Sequence, residues 1–371
     1  MIRILQVVNC MDRAGIETML MNYYRRIDRS KVQFDFLTHR DKKGDYDDEI
    51  TALGGKIYHA PRLYPQNYIK YKNYMDRFFQ EHPEYQVVHS HIDAMSAFPL
   101  YCAKRNHVKV RIAHSHNTSI DRDFKYPIKM LARHKINHYA TDFWGCGRDA
   151  VRFLFGEKVF LDHNYTVLHN AIDAKVFQYN SETRKMIREQ YGIDEGDVAI
   201  GNVARFTRQK NQSFLIDIFA EMKKLDSRVT LLLAGTGEDL EKIENKVREN
   251  NLGDSVKFLG VIDNVPQLLQ GLDIFLLPSL YEGLPVVGIE AQAAGLITVA
   301  SDTITDETKV TESFKQIDLN ASASVWAEKI LDLYKNAGKR ESAYEEIKQS
   351  GYNIDEEVSK LGNTYIEMWN R

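Results

Sequence analysis

Two glutamates, Glu282 and Glu290, are set at Glu-x7-Glu spacing in the stretch Ser279-Leu-Tyr-Glu-Gly-Leu-Pro-Val-Val-Gly-Ile-Glu290. A loop carboxylate accepts hydrogen bonds from hydroxyl groups. Beside a helix N-terminus it shares its surroundings with N–H groups that favour an anion. The flanking residues predict such a setting. Asp273-Ile-Phe-Leu-Leu277 is an apolar run of the kind found in buried parallel strands. Pro278, Gly283 and Pro285 punctuate a turn. Val286, Val287, Ile289, Ala291, Ala293 and Ala294 then predict a tightly packed helix ending at Gly295. Glu282 therefore falls in a loop at a strand's carboxyl end, where open parallel sheets bind ligands, and Glu290 about two turns into the next helix. A structural turn followed by a helix-face glutamate is the plainer alternative.

A second polar set is cationic. Ala204-Arg-Phe-Thr-Arg-Gln-Lys-Asn211 leaves the strand-like run Ile200–Ala204, so Arg205 and Lys210 also stand at a strand's carboxyl end. Arginine offers a planar fork that matches phosphate oxygens, and lysine a point charge. A basic surface turn is the alternative, and Arg208 reads as a solvated neighbour. Gly235-Thr-Gly237 follows another strand-like run, and glycines let the backbone turn sharply or approach a ligand. Ala14-Gly15-Ile16-Glu17 follows the first strand and opens a helix.

His89-Ser-His91 and His114-Ser-His116 end two further candidate strands. Alternate strand residues share a face, so four imidazoles can gather. Zinc is the sharp alternative to buried, hydrogen-bonded histidines, but no nearby cysteine or suitably spaced carboxylate completes a hydrolytic centre. Asp121-Arg-Asp123 has the form of a metal–diphosphate motif, yet it opens a helical pattern, where acids simply suit the N-terminus. Lys125, Lys129 and Arg133 recur at helical spacing beside Phe124, Ile128, Leu131 and Ile136. Such a helix can lie on an anionic membrane or, as the plainer expectation, cover the protein's own core.

The elements that must position these residues form an α/β alternation. A chain of 371 residues predicts two or three domains at about 150 residues each. Composition is that of a soluble globular protein, and the net charge of −3 gives no bulk attraction to nucleic acid. Cys10, Cys102 and Cys146 are widely spaced with no Cys-x-x-Cys, which argues against a disulfide framework or cysteine-rich zinc site and fits a reducing compartment. No signal peptide or membrane-spanning run is expected. Short apolar runs at Ile2–Val8, Phe34–Leu37, Lys56–His59, Val87–Ser90, Val110–His114 and Phe143–Cys146 alternate with helical patterns, arguing βαβ units. Strands are also expected near Val159–Phe160 and Thr166–His169. The turn signal Asn170–Asp173 separates a second set, at Val198–Val203, Val229–Ala234, Val256–Leu259, Ile274–Leu277 and Thr298–Ala300. In the helical tail, Leu361, Tyr365 and Trp369 recur every four residues, as a docking stripe does.

The full context Leu277-Pro278-Ser279-x-x-Glu282-Gly283-x-Pro285-x4-Glu290-Ala291-x-Ala293-x-Gly295 resembles the retaining glycosyltransferases of family 4. The resemblance covers nearly the whole chain and is strongest from Ile200 to Ser301. It implies the GT-B fold, with two doubly wound Rossmann-like domains facing across a cleft. Residues 1–172, with a C-terminal helix over about 353–371 crossing back to them, would bind the acceptor, and residues 173–352 the nucleotide sugar. The implied activity is metal-independent hexosyl transfer without a cofactor, from a nucleotide diphosphate sugar, with UDP-sugar expected, to a glycan or lipid-linked acceptor. Arg205 and Lys210 match the family's diphosphate pair. Glu290 is expected on the ribose, and Glu282 with Gly283 and Leu284 on the donor sugar. Gly235, Gly237 and Val261 are expected near the donor, Val261 with Ile262 flanking the base. Gly15 is expected near the diphosphate, although Ala14 stands where the family often has another glycine. His116 matches a histidine that meets the transferred sugar. The first half, including His114-Ser-His-Asn117, is similar to bacterial capsule and exopolysaccharide transferases. This implies a cytoplasmic protein, peripheral on the inner membrane's cytoplasmic face if the basic helix reaches lipid. A nucleotide-sugar epimerase or phosphorylase of the same fold, or a catalytically silent nucleotide-sugar-binding protein, remains the alternative.

Overall fold

The computed structural model describes residues 1–120 and 126–371. They divide into two compact units, Met1–Ile172 with Asn353–Arg371, and Asp173–Tyr352. The first unit holds β1 (Ile2–Val8), β2 (Val32–Thr38), β3 (Ile57–His59), β4 (Val87–Ser90), β5 (Val110–Ser115), β6 (Asp142–Gly145) and β7 (Thr166–Val167). They form one parallel sheet in the order β3-β2-β1-β4-β5-β6-β7. The central strands are largely buried and mostly apolar, and all seven residues of β2 are buried, the polar Gln33, Asp35 and Thr38 included.

The second unit holds β8 (Val198–Val203), β9 (Val229–Ala234), β10 (Val256–Gly260), β11 (Ile274–Leu277), β12 (Ile297–Ser301) and β13 (Phe314–Ile317). They are parallel in the order β10-β9-β8-β11-β12-β13. In each unit the strand order reverses beside the first strand, between β1 and β4 and between β8 and β11. A doubly wound sheet opens its ligand crevice at the carboxyl ends of such a pair.

The helix Val286–Ala293 shows how local sequence frames that crevice. Gly295, at φ 70°, terminates it. Gly295 N–H donates to Gln292 O and Leu296 N–H to Ala291 O, the paired bonds that close a helix on a left-handed glycine. A Cβ at Gly295 would lie 2.1 Å from Glu341 O, so glycine is required twice over.

The last helix, Ile354–Trp369, belongs to the first unit. Its buried face of Ile354, Val358, Leu361, Tyr365 and Met368 joins the core formed by β1, β2, β4 and the helix Gly15–Arg26. Trp369 is only partly buried against that core.

Two expectations and one omission need correction or placement. Val159–Phe160 is not a strand: both residues lie in the helix Glu157–Leu161. Gly156 at φ 85° ends the helix Arg148–Phe155 and lets a new one start, with Val159 turned into the core. β13 escaped the apolar-run criterion because Lys315 and Gln316 interrupt it at the sheet edge. Asp121-Arg-Asp123, with Phe124 and Lys125 of the basic pattern, lies outside the described residues. No described helix is long and apolar enough to cross a membrane.

Candidate active site

The crevice of the second unit is built from two loops stitched together. After β8, Phe206 is buried and its N–H donates to Thr236 O. Gly235 (φ 133°) and Gly237 permit that approach, since a Cβ on either would come within 2.0 and 2.2 Å of Ala204 O and Phe206 O respectively. Their need for glycine is thus met by the protein's own backbone. Asn211, at φ 56°, turns the chain into the helix Gln212–Leu225, and its amide donates to Pro278 O at 3.0 Å. Leu280 N–H donates to Gln209 O at 2.8 Å. The loop after β8 and the loop after β11 are therefore tied to one another.

Between the tied loops Lys210 Nζ lies 2.6 Å from Glu282 Oε1. Ser279 Oγ donates to the same oxygen at 2.8 Å, and Gln209 Nε2 approaches Oε2 at 3.4 Å. Glu282 is only 7% exposed, so its charge is balanced where it is dehydrated. Gly283 is half-buried and Leu284 buried beside it. Arg205 shares the β8 loop with Lys210, with its side chain exposed and no partner among the described residues. Gln212 Nε2 donates to Arg205 O, which fixes its backbone.

Glu290 stands apart from this ion pair. Half-buried on its helix, it has no hydrogen-bond partner among the described residues, and loss of hydration pushes its carboxyl up to about 7. A carboxylate in that state gains most from a ligand that brings hydroxyl donors. Val261, after β10, is 68% exposed.

The histidines of the first unit do gather. His89 Nε2 lies 3.0 Å from His114 Nδ1, and His91 Nδ1 3.0 Å from His116 Nε2. Two residues from elsewhere hold the inner ends. Tyr365 Oη meets His89 Nδ1 at 2.6 Å, and Gln6 Oε1 meets His91 Nε2 at 2.8 Å. Burial drives all four imidazoles toward the neutral form, His116 to about 3. Nitrogens of His89, His91 and His114 lie within 4.8 Å of one another, the reach of a metal site. Two ring-to-ring hydrogen bonds already occupy the cluster, however, and no carboxylate among these contacts balances a divalent charge. Asp93, held at φ 46°, accepts from His116 N–H at 2.8 Å and from Asn117 Nδ2 at 2.7 Å, fixing the turn after β5.

Gly15 differs from Gly235 and Gly237: a Cβ there would meet nothing within 4 Å among the described residues. It is exposed and opens the helix Gly15–Arg26 without a side-chain cap. Glu17, buried in that first turn, is pushed up to about 7 by dehydration. On the basic helix, now Tyr126–Tyr139, Arg133 donates to Phe153 O and covers the Phe153 ring at 4.7 Å. This cation serves the protein's own packing, while Leu131 points outward at 62% exposure.

Sequence reasoning missed the residues that hold others in place: Gln209 and Ser279 around Glu282, and Gln6, Asp93 and Tyr365 around the histidines. One signal was present, since Gln6 is a lone amide in the buried run Ile4–Val8.

A family model described as glycosyl transferases group 1 matches residues 183–350. EpsF of Bacillus subtilis, named as a glycosyltransferase, is 38% identical over 369 residues, spanning 98% of this chain and 96% of EpsF. The capsular polysaccharide biosynthesis glycosyltransferase CapH of Staphylococcus aureus is 27% identical, spanning 90% of this chain and 91% of its own. Among solved structures, HepE of Anabaena in complex with UDP aligns with a TM-score of 0.81 at 16% identity, over 99% of this chain and 100% of HepE. That last likeness is one of fold and agrees with a GT-B architecture of two parallel α/β sheets. On its similarity to EpsF over nearly the full length of both proteins, this chain belongs to the group 1 glycosyltransferases.

Proposed function

We propose that this glycosyltransferase is a metal-independent, retaining enzyme of family 4. It moves a hexosyl group from a nucleotide diphosphate sugar, a UDP-sugar, to a glycan or lipid-linked acceptor in surface polysaccharide assembly. The observation that carries this reading is the joining of a cationic loop to an acidic one at the switch point between β8 and β11. The pairing of Lys210 with Glu282 at 2.6 Å is its centre. The departing diphosphate gains negative charge as the glycosidic bond breaks. Arg205 and Lys210 stabilise that charge without reorganising, worth several kcal/mol where water is excluded. Glu282, with the backbone of Gly283 and Leu284, accepts from hydroxyls of the donor sugar. Glu290 accepts from the ribose hydroxyls, and Val261 packs on the base. Gly15 and His116 of the acceptor-binding unit meet the diphosphate and the transferred sugar. No metal or cofactor enters this scheme, because the two cations supply the positive charge.

Support comes from relatives as well. CapH is named for capsular polysaccharide biosynthesis, and the HepE structure contains UDP. The testing experiment is a thermal-shift panel of nucleotide diphosphate sugars, followed by product analysis with the best ligand. A ligand at 100 times its Kd stabilises the folded state by about 2.7 kcal/mol. A rise in melting temperature with one UDP-sugar, and transfer with retained anomeric configuration, is expected. Isomerised donor without transfer would make the protein an epimerase. Binding without any turnover would make it a silent receptor.

A further inference from the structure

The four histidines form two branches that meet at one amide. Gln6 Oε1 accepts from His91, while Gln6 Nε2 donates to Tyr365 Oη at 3.3 Å. Each neutral imidazole has one N–H and one bare nitrogen, so every bond in a branch fixes the next. Along the first branch, His91 must carry its proton on Nε2, because Gln6 presents an oxygen. Its Nδ1 is then bare and accepts from His116 Nε2–H, which leaves His116 Nδ1 bare. Along the second, Tyr365 Oη accepts from Gln6, and His89 Nδ1 is the one acceptor among the described contacts for its own proton. His89 Nε2–H donates to His114 Nδ1, which leaves His114 with a proton on Nε2. The outer atoms, His114 Nε2 and His116 Nδ1, are both buried and without a hydrogen-bond partner among the described residues. Their rings are stacked with centroids 4.0 Å apart.

We propose that Gln6 and Tyr365 are positioning residues that lock all four histidines into one tautomer, making His114 the hydrogen-bond donor and His116 the acceptor at the two unpartnered nitrogens. The ligand chemistry that satisfies such a pair is a polyhydroxyl compound, whose hydroxyls both give and receive hydrogen bonds. The assignment of that compound as the transferred sugar rests on the function proposed above; the tautomer lock does not. Reversing the Gln6 amide would invert every proton at once, so the array has two concerted states and no mixed one. With the amide oxygen toward His91, the array takes the state with four Nε2–H rings.

The test is long-range proton–nitrogen correlation on protein labelled with 15N-histidine, without substrate. The expected wild-type result is four neutral Nε2–H signals, for His89, His91, His114 and His116, unchanged between pH 6 and 8. Tyr365→Phe cuts the link between the branches. His91 and His116 should stay Nε2–H, while His89 and His114 show both tautomers. A donor titration should then move the His114 and His116 nitrogens in wild type. A mixture of tautomers in wild type, identical spectra for Tyr365→Phe, or a metal ion bound by the cluster in elemental analysis would overturn the lock. Should Tyr365→Phe fail to fold, the wild-type spectrum alone decides. Failure of the glycosyltransfer reading would instead appear as intact Nε2–H signals that no nucleotide sugar shifts.

Discussion

Replacing Lys210 by methionine separates the structural and catalytic parts of the crevice. Lys210 and Glu282 are 2.6 Å apart, with side chains 22% and 7% exposed. Removing one partner of a fully buried pair costs about 3–5 kcal/mol, because the other charge is left dehydrated. Here Glu282 keeps Ser279 Oγ and Gln209, and Lys210 is partly hydrated, so about 1–3 kcal/mol is expected. In a unit of this size that lowers the melting temperature by about 2–4 °C per kcal/mol. Loss of one preorganised charge-stabilising group should lower kcat by about 10²–10³. Adding Glu282→Gln removes the stranded carboxylate. Lys210→Met with Glu282→Gln should therefore regain most of the lost melting temperature and none of the turnover. Differential scanning fluorimetry and steady-state kinetics with the donor from the thermal-shift panel read the two effects separately. Normal kcat in Lys210→Met, or recovery of kcat in the double variant, would refute the idea that this lysine meets the leaving group.

Arg205→Ala should lower kcat by about 10²–10³ while the melting temperature stays within a degree, because its exposed guanidinium has no partner among the described residues. Near-normal turnover would remove its role. Glu290 gives a pH signature. Its folded carboxyl sits near 7 against an unfolded 4.5, so between those values the folded protein holds a proton that the unfolded chain releases. Its contribution to stability consequently falls as pH rises through that window. Ribose hydroxyls favour the ionised carboxylate, so calorimetric UDP affinity should rise about tenfold from pH 6 to 8, and Glu290→Gln should flatten the profile. Gly15→Ala should leave the melting temperature nearly unchanged yet lower kcat/KM, since the added methyl meets nothing among the described residues and a bound diphosphate would meet it. Gly237→Ala, whose Cβ would collide with Phe206 O, should cost about 2 kcal/mol or more of stability.

Strands buried on both faces announce themselves as mostly apolar runs, which is why β1, β4, β8, β9 and β11 are legible residue for residue despite Arg3, Gln6 and His89. The edge strand β13 was not, because half of it faces water. Val159–Phe160 misled, since two apolar residues suit a strand or a helix equally and only Gly156 decides between them. The meeting of four imidazoles followed from the two-residue strand period applied to adjacent strands. What tethers them did not, because Tyr365 lies 276 residues from His89, and only the packing of the last helix brings them together. The Lys210–Glu282 pair spans 72 residues for the same reason. Period and composition report what a segment buries; they carry no record of which distant side chain completes a hydrogen bond.

The central claim is that the crevice between β8 and β11 grips a diphosphate through Arg205 and Lys210. Isothermal titration of uridine and UDP against wild type and an Arg205→Ala, Lys210→Met double variant tests it most directly. The account predicts that wild type binds UDP at least 100-fold more tightly than uridine, and that the variant loses this preference while still binding uridine. Equal affinity of wild type for the two ligands, or a variant that holds UDP as tightly as wild type does, would contradict it.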